Sequence, residues 1–244
     1  MTAVIAPARP SPVSGFDTEQ LRAYALQAGE RLDGAPATTI LEWAAGTFGE
    51  RLCVTASMAD AVLSHLASDV MPGVDVVFVD TGYHFVETIG TRDAVTSTLP
   101  ITLITARPDL TVAEQDAQYG ARLFERDPDA CCTMRKVTPL NRTLRGYTAW
   151  ASGVRRDESP TRANAKAIDW DAKRDMVKIN PIVAWSEADV NAYMVANNIL
   201  VNPLLSDGYG SVGCEPCTRK LLPGESARDG RWAGSNKTEC GINL

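Results

Sequence analysis

The sequence predicts an α/β protein with a doubly wound, mostly parallel sheet, helices on both of its faces, and an irregular C-terminal tail. Two observations support this fold class. Short, mostly apolar runs alternate with longer segments of helical periodicity between about residues 51 and 180, which is typical of parallel strands that are buried on both faces. From Asn202 onward the chain is instead rich in glycine, proline and charge, with little periodicity. A long irregular segment of this kind is more often functional than a mere linker.

The N-terminal part of the chain predicts an arm followed by two helices. Residues 1–15 are rich in Pro, Ala and Ser and too poor in large apolar groups to pack, so we expect a disordered arm. A helix is expected over residues 15–32, with Asp17 or Thr18 as its N-cap. A second helix is expected over residues 38–48.

The alternating part of the chain then defines the sheet and its covering helices. The expected strands are 51–55, 74–80, 101–105, 148–153 and 177–180. The expected helices are 59–70, 85–99, 112–119, 132–144 and 186–197. Ser186 and Asp189 resemble a capping box at the start of the last helix. We divide the chain into the arm 1–15, an α/β domain 16–205 and a tail 206–244.

Composition limits the classes of function. The 244 residues carry 24 basic and 30 acidic side chains, a formal charge of −6, which argues against nucleic-acid binding. No stretch is apolar enough to span a bilayer, and the start lacks the apolar core of a signal peptide. We therefore expect a cytoplasmic protein, where cysteine pairs are more often ligands or redox groups than disulfides.

The six cysteines fall in a pattern that packing alone does not explain. Cys131 and Cys132 are adjacent, so bridge geometry disfavours a disulfide between them. Cys214 and Cys217 form a C-x-x-C pair, which presents two thiolates to one metal or cluster or forms a redox couple. Together the two pairs supply enough sulfur ligands for either a tetrathiolate zinc site or a [4Fe–4S] cluster.

The two remaining cysteines have different settings. Cys240 lies outside both pairs, near the end of the irregular tail, and this position predicts a reactive thiol on a mobile arm. Cys53 lies inside an apolar run, where it is better explained as a small buried hydrophobe.

Two loops at predicted strand ends are candidates for ligand contact, because ligands of doubly wound sheets bind at the carboxyl ends of strands. Loop 55–60, with Ser57 at its centre, could meet a phosphate, although it lacks glycines and an ordinary strand–helix turn explains it as well. Loop 80–88 contains a D-T-G turn. His84 in that loop is more often structural than catalytic, and a Ser–His–Asp hydrolase or an H-E-x-x-H zinc hydrolase is disfavoured.

Three basic segments are more informative in a chain of net negative charge. They are Arg135 with Lys136, the segment 153–162, and Arg228 with Arg231. Each adjoins the cysteines or a predicted strand end, so they are suited to clamp phosphate or sulfate. Solvated surface charge is the alternative for any single arginine.

The motifs C-C-x-x-R-K, G-x-R-R-x-x-S-x-T-R, C-E-P-C and K-T-E-C-G, in this order, resemble those of the assimilatory adenylyl-sulfate (APS) reductases. These enzymes belong to the phosphoadenylyl-sulfate (PAPS) reductase family. The resemblance runs from about residue 41 to the end, and it implies an adenine-nucleotide α-hydrolase-like fold. It departs from the usual pattern in two places. The loop 55–60 reads T-A-S-M-A-D, where many relatives have S-G-A-E-D. Asn243 stands where a terminal histidine is usual, which argues against a proton role at that position.

The resemblance also implies roles for individual residues. It implies that the paired cysteines ligate a [4Fe–4S] cluster and that Cys240 is the nucleophile. The implied cluster ligands are Cys131, Cys132, Cys214 and Cys217. The residues implied to hold the sulfate and phosphate are Lys136, Arg162, Arg228 and Arg231. Those implied to meet the adenosine moiety are Gly153, Thr81, Gly82 and the loop containing Ser57.

The implied reaction is the reduction of APS to sulfite and AMP through an S-sulfonate on Cys240, with a thioredoxin-type dithiol as reductant. Such an enzyme serves sulfate assimilation and cysteine biosynthesis. The alternatives are a PAPS reductase, whose familiar forms lack the cluster cysteines, a zinc-bearing nucleotide-binding regulator, and an ATP-pyrophosphatase or sulfurtransferase of the same fold. The sequence leaves the oligomeric state open, a homo-oligomer included.

Overall fold

The structure, a computed structural model, describes residues 11–232, 237 and 239–242. Residues 1–10 of the predicted arm and Asn243 lie outside the described residues. Residues 11–15 form a turn in which the N–H of Ser14 donates to the carbonyl of Ser11 at 3.0 Å, and Val13 packs against the main core. The division of the chain into arm, domain and tail stays a prediction.

One six-stranded sheet forms the centre of the fold. Its strands are Leu52–Thr55 (β1), Val74–Val79 (β2), Ile101–Ala106 (β3), Ala149–Ala151 (β4), Ile168–Asp171 (β5) and Met176–Ile179 (β6). The spatial order is β3-β2-β1-β4-β6-β5, and every pairing is parallel except that of β5 with β6. The predicted α/β fold class with a mostly parallel sheet is therefore confirmed.

The strand order reverses between β1 and β4, and this reversal fixes where a ligand can enter. From β1 the chain proceeds outward through β2 and β3, and it then returns to β4 on the other side of β1. The loops that follow β1 and β4 diverge at their carboxyl ends and leave a crevice. The hydroxyl of Thr55 crosses that point and donates to the carbonyl of Ala151 at 3.1 Å.

Ten helices occur in the described part of the chain. They are Thr18–Leu32 (α1), Ala37–Phe48 (α2), Val62–Val70 (α3), Val86–Thr98 (α4), Val112–Tyr119 (α5), Leu123–Arg126 (α6), Pro128–Cys132 (α7), Thr138–Leu144 (α8), Glu187–Ala196 (α9) and Pro203–Ser206 (α10). The predicted caps are confirmed at two of them. Asp17 exchanges two hydrogen bonds with Gln20 at the start of α1, and Ser186 does the same with Asp189 at α9.

The segment predicted as one helix over residues 132–144 is more complex. It begins earlier, at Pro128, and a wide π-helical turn, Thr133–Val137, separates α7 from α8. Such turns add a residue to the helix and are frequent at functional sites. The tandem cysteines end α7 directly before this turn, which carries Arg135 and Lys136.

The sequence analysis missed strand β5. Its residues Ile168-Asp169-Trp170-Asp171 are half polar, because an antiparallel edge strand is not buried on both faces. Asp171 nevertheless has a structural role. Its carboxylate accepts hydrogen bonds from Trp150 at 3.2 Å and from Arg174 at 2.7 Å.

The irregular C-terminal segment is held to the sheet domain by backbone pairing. Cys214 pairs with His84 in an isolated antiparallel bridge, and Thr218 pairs with Arg231. The first bridge attaches the segment to the loop that follows β2, and the second pairs two parts of the segment with each other. No helix in the described part of the chain is both long and apolar enough to cross a membrane.

Candidate functional site

A cleft of about 1670 Å³ opens at the carboxyl ends of the strands, where their order reverses. Seven of the eight residues predicted to bind substrate line it, together with the predicted nucleophile. These residues are Ser57, Thr81, Lys136, Gly153, Arg162, Arg228, Arg231 and Cys240. The tertiary structure thus gathers residues from five separate segments of the sequence around one space.

Gly82 is the predicted residue that the structure places elsewhere. Its φ of +74° lies in the left-handed region, and a Cβ there would approach the guanidinium of Arg135 to 3.0 Å and Val112 to 3.2 Å. Glycine is therefore needed for the turn and for the close approach of Arg135. Gly82 supports the neighbouring cysteine region and is not among the residues that line the cleft.

The loop after β1 contributes one acidic side chain to the cleft wall. Asp60 accepts a hydrogen bond from the N–H of Val62 at 2.9 Å, at the start of α3. Burial raises the pKa of Asp60, and the bond from Val62 and the charge of Arg155 oppose this rise. Met58 in the same loop has φ +61° and a fully buried side chain, so core packing fixes the loop where glycines are absent.

His84 lies in the loop after β2 and has structural contacts. Its Nε2 is 3.0 Å from the carbonyl of Val79 and 3.2 Å from the N–H of Thr81. Burial lowers its pKa, which favours the neutral ring. These contacts fix the loop that carries Thr81.

The four paired cysteines lie together. Cys131, Cys132, Cys214 and Cys217 line one small cavity, which also contacts Arg135 and Lys136. The first pair ends α7, and the second pair brackets a tight turn, Glu215–Cys217. Three of the four thiols are buried and Cys217 is half-buried.

The chemistry of this donor set fits a polynuclear cluster. Burial, followed by the neighbouring Cys214 and Cys217, raises the pKa of Cys131 to about 11. Thiolates crowded in this way repel one another unless a cation shares them. In the described part of the chain, no group of three or more His, Cys, Asp or Glu side chains forms a site for a single metal ion. Thiolates are the ligands that an iron–sulfur cluster would use.

Thr81 and Arg135 connect the cleft with the cysteines. The Thr81 hydroxyl lies 3.3 Å from Sγ of Cys214. The buried Arg135 donates to the carbonyl of Thr81, and its Nη1 donates to Gln115 at 3.0 Å. Its guanidinium also stacks on Tyr83 at 5.2 Å.

Lys136 lines both the cysteine cavity and the cleft. Burial disfavours its charge, but the thiols of Cys214 and Cys240 outweigh that effect, and the pKa of Lys136 is raised. Lys136 is therefore a cation shared by the two parts of the site.

Cys240 lies beside this cation. A hydrogen bond with Cys132 is the largest cause that lowers the pKa of the Cys240 thiol, to about 5, against the effect of burial. Lys136, the N–H of Ile242 and Arg231 lower it further. Lys237 pairs with Asp129, and its ammonium group also interacts with the thiols of Cys132 and Cys240. These contacts favour the thiolate form of Cys240.

The arginines of the cleft are held in defined positions. Nη1 of Arg231 donates to Ser211 at 3.2 Å and to the carbonyl of Val212 at 3.3 Å. Its guanidinium stacks on Trp232 at 4.6 Å. A Cβ on Gly213 would lie 2.1 Å from Nη2 of Arg231, so this arginine fits only beside a glycine. Arg162 and Arg228 both bind the carboxylate of Glu239.

The end of the tail is docked beyond Cys240 as well. Ile242 packs against a small second core around Trp150, and its carbonyl accepts a hydrogen bond from Arg174 at 3.1 Å. Arg174 is itself fixed by Asp171 and by Asn141 at 2.7 Å.

Sequence reasoning missed Glu239, Trp232 and Arg174. A partial signal existed for the first two, because Glu239 precedes Cys240 and Trp232 follows Arg231 in the sequence. No local signal marks Arg174, since its partner Ile242 is 68 residues away.

Comparison with known proteins adds an independent observation. Residues 51–220 match the sequence profile of the phosphoadenosine phosphosulfate reductase domain. The chain is 61% identical over 226 residues to an adenosine 5'-phosphosulfate reductase of Streptomyces coelicolor, which covers 93% of this chain and 96% of that protein. It is 52% identical over 225 residues to the enzyme of the same name from Mycolicibacterium smegmatis, covering 92% and 95%.

Solved structures give the same fold. A phosphoadenylyl-sulfate reductase from Candida auris, in complex with phosphate, superposes with a TM-score of 0.67 at 24% identity and covers 84% of this chain and 98% of that one. Yeast FAD synthetase in complex with FAD has a TM-score of 0.54 at 12% identity, covering 80% and 68%. These likenesses concern the fold alone, and the fold is of the adenine-nucleotide α-hydrolase-like type that the resemblance implied.

Proposed function

The chain belongs to the phosphoadenosine phosphosulfate reductase family, and on that premise we propose that it reduces adenylyl sulfate to sulfite and AMP through Cys240. The observation that carries this proposal is the position of Cys240. Its thiol faces a cleft at the ligand-binding end of the sheet and lies beside Lys136 and Arg231. The reaction is the reductive step of sulfate assimilation and of cysteine biosynthesis.

In the first step the Cys240 thiolate attacks the sulfur of adenylyl sulfate. The S–S bond forms as the bond between sulfur and the bridging oxygen breaks, and the electron pair leaves with AMP. If Cys132 ligates the cluster, its thiol cannot donate a hydrogen bond to Cys240. Lys136 and Arg231 then stabilise the Cys240 thiolate. The same cations offset the negative charge on the sulfonate and on the departing phosphate.

In the second step a thioredoxin-type dithiol removes the sulfonate. One of its thiolates attacks Sγ of Cys240, and sulfite leaves with the electron pair of the old S–S bond. The second thiol of the reductant then breaks the resulting mixed disulfide and restores Cys240. Two electrons pass from the dithiol to the sulfur of the substrate. From the need for a reduced dithiol and for free thiols we infer a cytoplasmic location.

Cys131, Cys132, Cys214 and Cys217 would hold a [4Fe–4S] cluster in this proposal. When bound, the cluster supplies a fixed charge beside the substrate site and a structural link between α7 and the C-terminal segment. Lys136 lies between those cysteines and the cleft, so its ammonium group is placed to interact electrostatically with both the cluster and the substrate.

Analysis of metal and sulfide tests this part of the proposal. Protein purified without oxygen is expected to be brown and to contain roughly four irons and four acid-labile sulfides per chain, because four thiolates ligate one cubane. The measurements are a visible absorption spectrum and an iron and sulfide count. Stoichiometric zinc without sulfide would instead support the zinc-bearing regulator.

The cleft wall favours adenylyl sulfate over its 3'-phosphorylated form. Loops 55–60 and 80–88 contain no lysine or arginine. Asp60 lines the cleft, whereas Asp80 and Glu87 are not among the lining residues. Arg155, whose charge acts on Asp60, is paired with Asp157 at 3.5 Å. An additional phosphate dianion at this wall would face repulsion with little compensating attraction.

Competition kinetics test this choice of substrate. With thioredoxin as reductant, kcat/KM is expected to be at least about tenfold higher for adenylyl sulfate than for phosphoadenylyl sulfate, a difference of about 1.4 kcal/mol. Comparable or greater efficiency with phosphoadenylyl sulfate would overturn the substrate assignment and leave the thiol mechanism intact.

A further inference from the structure

The carboxylate of Glu239 occupies the centre of the arginine cluster. Nε and Nη2 of Arg162 donate to its two oxygens at 2.8 and 3.1 Å, and Nη2 of Arg228 donates to Oε2 at 3.1 Å. The hydroxyls of Ser159 and Thr161 lie 3.4 Å from Oε1. Glu239 is buried, with 7% of its surface exposed. It is therefore bound as a small oxyanion would be, by a planar fork and a second cation.

The charge balance favours this contact. Burial opposes the ionised form of Glu239, but the hydrogen bonds and charges of Arg162 and Arg228 outweigh it and lower the pKa of the carboxyl group. Glu158 binds the remaining Nη1 of Arg162, so the guanidinium keeps its orientation when Glu239 is exchanged for another anion. The site is thus already shaped for a ligand with two or three anionic oxygens.

The docked tail is held by different kinds of contact before and after Cys240, and this difference affects how a substrate can enter. Before Cys240 the described tail residues form two ionic contacts, Lys237 with Asp129 and Glu239 with the arginines, and an external anion can compete for the second. After Cys240 it is held by the apolar packing of Ile242 and by Arg174, and neither contact is of a kind that an anion displaces. When an external anion replaces the Glu239 carboxylate at the arginines, the residue before Cys240 is released, while the contacts of Ile242 after Cys240 stay in place.

We propose that Glu239 is an internal ligand of the substrate's anion site, which a sulfate or phosphate group of the substrate must displace from Arg162 and Arg228. This inference rests on the proposed function and deepens it. The displaced tail remains tethered at Ile242, so Cys240 becomes more accessible without leaving the cleft. When the products leave, Glu239 returns to the arginines and closes the site.

Binding of adenylyl sulfate to the full-length, cluster-loaded protein tests the competition. Cys240→Ser serves as the background, because it prevents turnover. Adding Glu239→Gln is expected to tighten binding about tenfold, since the neutral amide loses the charge-assisted part of its contact with the arginines. Equal or weaker binding in the Glu239→Gln protein would overturn the proposal.

Glu225→Gln is the matched control. Glu225 also accepts two hydrogen bonds from one arginine, Arg219, at 2.6 and 2.7 Å. Arg219 lines the cleft and Glu225 does not, so this substitution loosens a cleft arginine without removing a carboxylate from the anion site. Its substitution is expected to leave the affinity unchanged. If Glu225→Gln tightened binding equally, general loosening of the tail would explain the result and the competition would be rejected.

A second measurement needs no nucleotide. Alkylation of Cys240 by a bulky maleimide, followed by mass spectrometry, is expected to accelerate several-fold and saturably when inorganic sulfate is added to the protein with Cys240 intact. Glu239→Gln should react at the fast rate without sulfate. No acceleration by sulfate, or a slow Glu239→Gln protein, would overturn the proposal. Acceleration by sulfate in a protein that binds no adenylyl sulfate would support the internal ligand and reject the proposed substrate.

Discussion

Replacing Cys240 by serine is expected to abolish the formation of an S-sulfonate with radiolabelled adenylyl sulfate and to lower kcat at least about 10³-fold. A serine hydroxyl is almost fully protonated at neutral pH, and Lys136 and Arg231 cannot stabilise its anion enough to replace the thiolate. The measurements are retention of label after denaturing gel filtration and the rate of sulfite release.

The same variant separates chemistry from folding. Because Cys240 lies outside the two cysteine pairs, the Cys240→Ser protein is expected to keep its visible spectrum, its iron content and its affinity for the nucleotide. Cys53→Ala is the matched control. Cys53 is fully buried in β1, and burial, followed by Asp75, raises its pKa, so its loss should affect stability and leave labelling intact. Label retained on the Cys240→Ser protein would place the nucleophile elsewhere.

Removal of the Lys136 ammonium group should have the next largest effect. Lys136→Ala is expected to lower kcat/KM for adenylyl sulfate by about 10²- to 10³-fold, because a partly buried cation that faces both the thiolate and the substrate stabilises charge that develops in the transition state. The cluster spectrum is expected to shift, since the ammonium group also lies beside the Cys214 thiol. The measurements are steady-state kinetics and visible absorption of the same preparation.

An exposed lysine serves as the control for this substitution. Lys173 lies in the turn between β5 and β6, and Lys173→Ala should change neither the kinetics nor the spectrum. Unchanged kinetics in the Lys136→Ala protein would show that Lys136 has no role in catalysis or substrate binding. In that case the arginines alone would bind the anion. Each of Arg162→Ala, Arg228→Ala and Arg231→Ala is expected to lower kcat/KM, by less than the effect expected for Lys136→Ala.

The central strands and their helices could be predicted because their information is local. Strands β1, β2 and β3 are mostly apolar runs, and α5 was predicted with both of its ends correct. Strand β5 could not be predicted, since it depends on pairing with β6 and on the partners of Asp171. The wide turn after Cys132 was likewise missed, because the residues there have no unusual helix propensity.

In the candidate site, too, local sequence predicted some features and long-range contacts decided the others. Cysteine spacing indicated a reactive thiol and a four-sulfur donor set, and the basic clusters indicated an anion site. The sequence could not show that Arg162 and Arg228 bind a carboxylate of the chain itself, since Glu239 is 77 residues from Arg162. Nor could it show that Gly82 supports Arg135 and does not line the cleft.

By itself, the sequence determined the α/β fold class and the family, and it singled out the thiols and cations that are candidates for the site. Periodicity, residue type and spacing are properties of neighbouring positions, and the chemistry of a thiol or a guanidinium does not depend on the fold. Only the tertiary structure decided which of these groups meet. It brought Lys136 between the cysteines and the cleft and set Glu239 among the arginines. Such contacts arise when the return of the chain to β4 brings distant segments to one edge of the sheet, and this closure has no signature in any short stretch of sequence.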